Sequence, residues 1–114
     1  MHEYSLVEAL ITRVEAEART RGALRVHGLS VRLGELAGVD AGLFQTAYDT
    51  FRAGTICAEV PLTLKQVPAS WSCPSCRAAV PRGGPLRCPA CAEPARLDEG
   101  GDALTLDGID LEVP

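Results

Sequence analysis

The sequence predicts a small α+β protein: two helices packed on a small three-stranded sheet, with an inserted four-cysteine, zinc-ribbon-like domain. Three observations carry that expectation. Apolar residues recur at helical spacing in two stretches and alternate in three others. Prolines crowd into one segment, and four of the five cysteines fall there in two Cys-x-x-Cys pairs. A length of 114 residues suits one compact domain with a small appendage.

Residues 5–22 read as an amphipathic helix. Ser5 and Glu8 match the capping box, in which each side chain satisfies a free backbone donor of the other residue. Val7, Leu10, Ile11, Val14 and Ala18 form the apolar stripe, and Gly22 supplies the stop. Residues 24–36 read as a strand whose inward parity changes between Leu24/Val26 and Leu29/Val31/Leu33, which predicts a bulge at Gly28. Asp40 can cap a second helix with a core stripe of Leu43, Phe44, Ala47, Tyr48 and Phe51, ended by Gly54. Residues 58–66 alternate again through Val60, Leu62 and Leu64, and Pro61, lacking an N–H, places this strand at an edge or itself on the strand's unpaired side. Leu104 and Leu106 change parity to Ile109, Leu111 and Val113 across Gly108, a second expected bulge.

Between those last two strands the composition shifts. Residues 68–101 hold six of the eight prolines and all four paired cysteines, with too few apolar residues to close a core unaided. The expected division is therefore 1–67 plus 102–114 as an α+β domain, and 68–101 as a stapled insertion.

Charge and hydropathy exclude several classes. A net charge of −4 and Lys65 as the single lysine oppose a nucleic-acid binder that depends on phosphate contacts. No apolar run approaches the roughly 20 residues that span a bilayer. The start, Met1-His2-Glu3-Tyr4, lacks the basic and apolar stretches of a signal peptide. A soluble cytoplasmic protein is expected, and an odd cysteine count in that setting speaks against a disulfide framework.

Cys73, Cys76, Cys88 and Cys91 offer four soft thiolates in two tight turns, joined by eleven residues that can fold back as a hairpin. Such a quartet suits tetrahedral Zn²⁺ and leaves no coordination position open for water or substrate, so the metal would hold the insertion together. Spacing leaves iron in a rubredoxin-like site as a chemical competitor. Residues 73–91 carry Arg77, Arg82 and Arg87 and no acid; a zinc tetrathiolate would bring their +3 down to about +1, too little for a nucleic-acid patch. Trp71 is expected to shield the metal or pack at the joint with the rest of the chain.

The amino terminus offers a second cluster. The Met1 amine, the His2 amide nitrogen and the His2 imidazole can close fused chelate rings, with Glu3 adding a carboxylate oxygen or its own amide. Nitrogen-rich donors of this kind suit Ni(II) and Cu(II), and spacing does not choose between them. On residue identity alone, a histidine at position 2 reads as a solvated terminus.

The combination is more specific than either half. Met1-His2-Glu3-Tyr4-Ser5-Leu6, then Val31-Arg32-Leu33-Gly34-Glu35-Leu36-Ala37-Gly38-Val39-Asp40, then two late Cys-x-x-Cys pairs, resembles the HypA/HybF nickel metallochaperones over essentially the whole chain. The resemblance implies a non-enzymatic carrier of Ni²⁺ as transient cargo, with a structural Zn²⁺, acting in maturation of [NiFe]-hydrogenase and sometimes urease. It also implies a HypB-type GTPase and the hydrogenase large subunit as partners, and a chain that is monomeric or weakly dimeric. Residue by residue, His2 and Glu3 match the nickel motif, with Met1 as the amine donor, and Cys73, Cys76, Cys88 and Cys91 match the zinc motif. Some relatives use a further histidine near the zinc site; this chain has only His2 and His27. Amine and imidazole donors take up protons between about pH 8 and 6, so nickel affinity is expected to fall across that window.

Other polar residues are given structural readings. His27 is expected to make a face or partner contact, Cys57 to act as a small buried hydrophobe, Glu35 to mark a partner surface or be a loop acid, and Asp40 to be a cap. Asp98, Glu99 and Asp102 read as a solvated linker. The alternative function is a zinc-ribbon module for protein or nucleic-acid interaction without nickel delivery. A hydrolytic or redox enzyme is opposed by the lack of a Ser/His or paired-carboxylate arrangement beside an open metal.

Overall fold

A computed structural model of the chain describes residues 2–114; Met1, the expected amine donor, lies outside the described residues. The first helix, α1, runs His2–Thr20, so it starts three residues before the expected capping box, and Ser5 sits inside the helix. Tertiary contacts explain the early start. The Glu3 carboxylate accepts the Asp40 N–H at 3.2 Å, and the Tyr4 ring packs edge-on against Phe51 with centroids 5.0 Å apart. Both contacts hold a first turn that local propensity alone leaves frayed. Gly22 ends the helix as expected. It adopts φ +61°, and the N–H groups of Gly22 and Ala23 reach back to the Arg19 and Ala18 carbonyls, a Schellman stop.

Strand β1 (Arg25–Gly34) leads to α2 (Ala41–Phe51), and α2 to β2 (Leu62–Val67). Asp40 caps α2: its carboxylate accepts the Leu43 N–H at 2.9 Å. The second strand is shorter than the alternation suggests because residues 58–60 turn: Val60 is buried in the core and its carbonyl takes the Tyr48 hydroxyl at 2.6 Å. After the cysteine segment comes β6 (Leu104–Glu112). The sheet order is β2-β1-β6, with β1 parallel to β2 and antiparallel to β6. Strand β2 lies at an edge, and Pro61 falls just before its first residue, Leu62.

Two register shifts in the β1–β6 pairing fall at Val26/Gly28 and Ser30/Val31, the second opposite Gly108. They sit where the parity changes demand them, and they keep Val26 and Leu29 together in the core. That core joins Val7, Ile11, Val14 and Ala18 of α1 to Phe44, Ala47 and Tyr48 of α2. Leu43 and Phe51, expected in the stripe of α2, are exposed instead, at 47% and 39%. They flank the buried positions on a helix that is covered on one side only.

Residues 68–101 carry a second sheet that the sequence did not announce. Three two-residue strands, β3 (Trp71–Ser72), β4 (Ala79–Val80) and β5 (Arg96–Leu97), pair in the order β4-β3-β5. Its buried residues are Cys73, Val80 and Cys88, backed by Trp71 and Ala95. The two sheets give an elongated outline of 54 × 32 × 16 Å, and the radius of gyration is 17.8 Å against about 13 Å for a compact chain of this length. Among the described residues, no helix is long and apolar enough to cross a membrane.

Candidate metal centres

Each Cys-x-x-Cys pair closes on itself by the same local hydrogen bonds. In the first knuckle the Cys76 N–H donates to the Cys73 sulfur at 3.5 Å, and the Arg77 N–H to the Cys73 carbonyl at 2.9 Å. The second repeats this, with Cys91 N–H to the Cys88 sulfur at 3.4 Å and Ala92 N–H to the Cys88 carbonyl at 2.8 Å. Closing so tight a turn drives the next residue into the left-handed region. Arg77 has φ 63° and Ala92 φ 59°. Two side chains therefore occupy a conformation that favours glycine.

The knuckles bring all four sulfurs within 4.8 Å of one another. Cys73 and Cys88 are buried and Cys76 and Cys91 exposed. The Cys76 and Cys88 sulfurs lie 3.7 Å apart. A tetrahedron with metal–sulfur bonds of about 2.3 Å has edges of about 3.8 Å, so the quartet fits one zinc ion. Its acid–base behaviour points the same way. The Cys76 N–H, with help from that of Ser75, draws the Cys73 thiol down to about 7. The sulfurs of Cys76, Cys73 and Cys88 push Cys91 up to about 12. Four thiolates this close cannot all stay ionised without a cation between them, and a zinc ion held by the four would supply it.

Relief of the left-handed strain is testable. Arg77→Gly should stabilise the first knuckle by about 0.5–1 kcal/mol. Chelator competition should read this as zinc held two- to fivefold tighter; a weakened site would show that the arginine side chain does more than tolerate the turn.

His2 and Glu3 of the amino-terminal cluster lie in the first turn of α1. His2 is exposed, whereas Glu3 is only 8% exposed because its carboxylate is turned to the Asp40 amide at the head of α2. That is the positive end of a helix dipole, a favourable seat for a carboxylate. Of the two donors expected from Glu3, the side chain thus has one carboxylate oxygen engaged, and the other donor is the amide. The first four N–H groups of a helix have no intrahelical partner, so metal contact there sacrifices no helix hydrogen bond.

Several residues read as bland in the sequence prove to be structural ties. Arg82 grips Glu35 through two nitrogens at 2.7 and 2.9 Å, and its guanidinium lies 5.3 Å from the centre of the Trp71 ring. Glu35 also accepts the Ala69 N–H at 2.9 Å. The sequence held a clue: residues 73–91 contain three arginines and no acid, so any acidic partner lies outside that stretch, as Glu35 does for Arg82. Asp98, expected to be a solvated linker, instead ties β3 to β5 by accepting the Ser70 and Ser72 hydroxyls at 2.6 and 2.5 Å. His27 pairs across the sheet with Glu112 at 2.8 Å. Cys57 is fully buried, and burial pushes its thiol up, which keeps it neutral and unreactive.

Comparison with known proteins agrees with this arrangement. The family described as "Hydrogenase/urease nickel incorporation, metallochaperone, hypA" matches residues 1–111. A hydrogenase maturation factor HypA of Wolinella succinogenes is 34% identical over 115 residues, covering 99% of this chain and 97% of the relative. The fold is that of two solved structures: the Ni metallochaperone HypA from Helicobacter pylori, with a TM-score of 0.71, 23% identity and 98% of each chain covered, and a HypA protein with a TM-score of 0.78, 24% identity and 100% and 98% covered.

Proposed function

The chain belongs to the HypA family of hydrogenase/urease nickel-incorporation metallochaperones, and from that premise we propose that Met1, His2 and Glu3 hold the nickel while Cys73, Cys76, Cys88 and Cys91 hold a structural zinc. The observation that carries the reading is the placement of His2 and Glu3. The imidazole stands exposed at the helix start, and the Glu3 carboxylate is engaged elsewhere. Nickel then meets nitrogen donors: the Met1 amine, the His2 amide and imidazole, and the Glu3 amide. A terminal site with few ligands, open to solvent, releases its ion more readily than a closed cage, as a carrier needs.

The division into a nickel domain, 1–67 plus 102–114, and an inserted zinc domain, 68–101, is part of the same proposal. It is supported by separate buried clusters in the two sheets. The chain carries nickel without catalysing a reaction; a zinc with four sulfur ligands keeps no position for substrate. Its partners are a HypB-type GTPase and the hydrogenase large subunit, met in the cytoplasm. The zinc-ribbon interaction module without nickel delivery is not favoured: the family match spans the nickel motif as well as the cysteines.

Nickel titration of untagged protein tests the site. His2→Ala should lower nickel affinity at least a hundredfold while zinc content and helix content stay unchanged, and acetylation of the terminal amine should do the same. Nickel uptake undiminished in both would overturn the assignment.

A further inference from the structure

Six residues, 35–40, leave β1 and enter α2, and both ends of this strap are held by side chains from elsewhere in the chain. At the near end, Glu35 is fixed by Arg82 and by the Ala69 N–H, both from the cysteine segment. Its own N–H donates to the Val67 carbonyl at 2.9 Å, and the Leu36 N–H to that of Gly101 at 2.8 Å. The strap thus touches the chain where it enters the cysteine segment and where it returns. At the far end, the Asp40 N–H holds the Glu3 carboxylate at 3.2 Å, one residue from His2.

We propose that Glu35 and Arg82 are positioning residues for the amino-terminal metal site, holding the strap so that Asp40 keeps the Glu3 carboxylate away from the ion and the first turn of α1 in one orientation. This rests on the terminal nickel site proposed above and deepens it by naming what sets its geometry. The planar guanidinium matches a carboxylate by two parallel bonds, a geometry a point charge does not impose. The Arg82 fork and the Ala69 N–H hold the Glu35 carboxyl down at about 2, so the clamp stays ionised throughout the pH range in which nickel is bound. Asp40 stays capped on α2 by its bonds to the Leu43 and Phe44 N–H groups, but its own N–H belongs to the peptide between Val39 and Asp40, within the strap. Released at its near end, the strap lets that peptide turn, the hold on Glu3 loosens, and the first turn of α1 must be ordered at the moment of binding, which weakens affinity.

Three readouts test this in the full, zinc-loaded chain: nickel affinity, zinc content and the emission of Trp71, the single tryptophan, which lies under the Arg82 guanidinium. Glu35→Gln and Arg82→Ala should each shift Trp71 emission, leave zinc in place, and weaken nickel binding by about five- to tenfold. Glu3→Ala removes the relay, so adding Glu35→Gln to it should weaken nickel no further, a coupling that a purely structural role would not produce. Nickel affinity within twofold of wild type in Arg82→Ala overturns the proposal, as does a full additional loss in the Glu3→Ala background. Nickel binding that survives His2→Ala refutes the terminal site itself, and that failure is read from a different variant.

Discussion

Cys88→Ser is expected to release the zinc and unfold residues 68–101 while leaving the helices intact. The buried cluster of the cysteine segment is Cys73, Val80 and Cys88, so two of its three members are thiols of the proposed zinc quartet. Three two-residue strands around so small a core cannot offset the entropy of ordering some thirty residues. Structural zinc sites contribute about 10–16 kcal/mol apparent at pH 7, and removing a buried ligand forfeits most of it. Both helices lie outside the segment and share their own core with the first sheet. Helical circular dichroism should therefore persist while the near-ultraviolet signal of Trp71 and the zinc disappear. A variant that kept zinc and an unchanged tryptophan signal would show that the segment has a core of its own. Chelation of the wild-type protein should reproduce the variant.

The second large effect is expected at Gly34, the last residue of β1. Its conformation is open to any residue, but its surroundings are not: a Cβ there would overlap the carbonyl of Gly100 and the backbone of Gly101, where the chain returns from the cysteine segment. Overpacking costs about 1–3 kcal/mol when side chains can yield. Here the obstacle is backbone pinned by hydrogen bonds from Gly34 to the Ala103 carbonyl and from Leu36 to that of Gly101. Gly34→Ala should cost about 3 kcal/mol or more, a fall in Tm of roughly 12–20 °C. Gly38 is the control. It has φ +74° and open space around it, so alanine there meets only backbone strain of about 1 kcal/mol. If the two variants melt together, the close approach at Gly34 is not what limits stability.

Those two experiments separate what a linear reading can find from what it cannot. The Cys-x-x-Cys pairs were legible because four thiolates at that spacing have few other uses, and the geometry followed from local turns. The cap at Asp40, the stop at Gly22 and both bulges were legible for the same reason: each is decided within a few residues, by a side-chain oxygen, a missing Cβ or a change of parity. The start of α1 was misplaced because Tyr4 and Glu3 find their partners at Phe51 and Asp40, far along the chain. Glu35 gave no sign of its role for a similar reason, its partner Arg82 being 47 residues away.

Composition, periodicity and cysteine spacing, read without coordinates, determined the α+β class and singled out the proline-rich segment with its four paired thiols, while residues 1–6 and 31–40 together with those pairs carried the resemblance to nickel metallochaperones. These are properties of short windows, set by backbone geometry and by the donor chemistry of single residue types. Only the tertiary structure decided that the Glu3 carboxylate is spoken for, that Asp98 ties two strands, that Gly34 must lack a side chain, and that one arginine clamps the cysteine segment to the loop before α2. Each of those depends on which distant atoms, backbone or side chain, come to lie within about 3 or 4 Å, and the packing of the whole chain sets that distance.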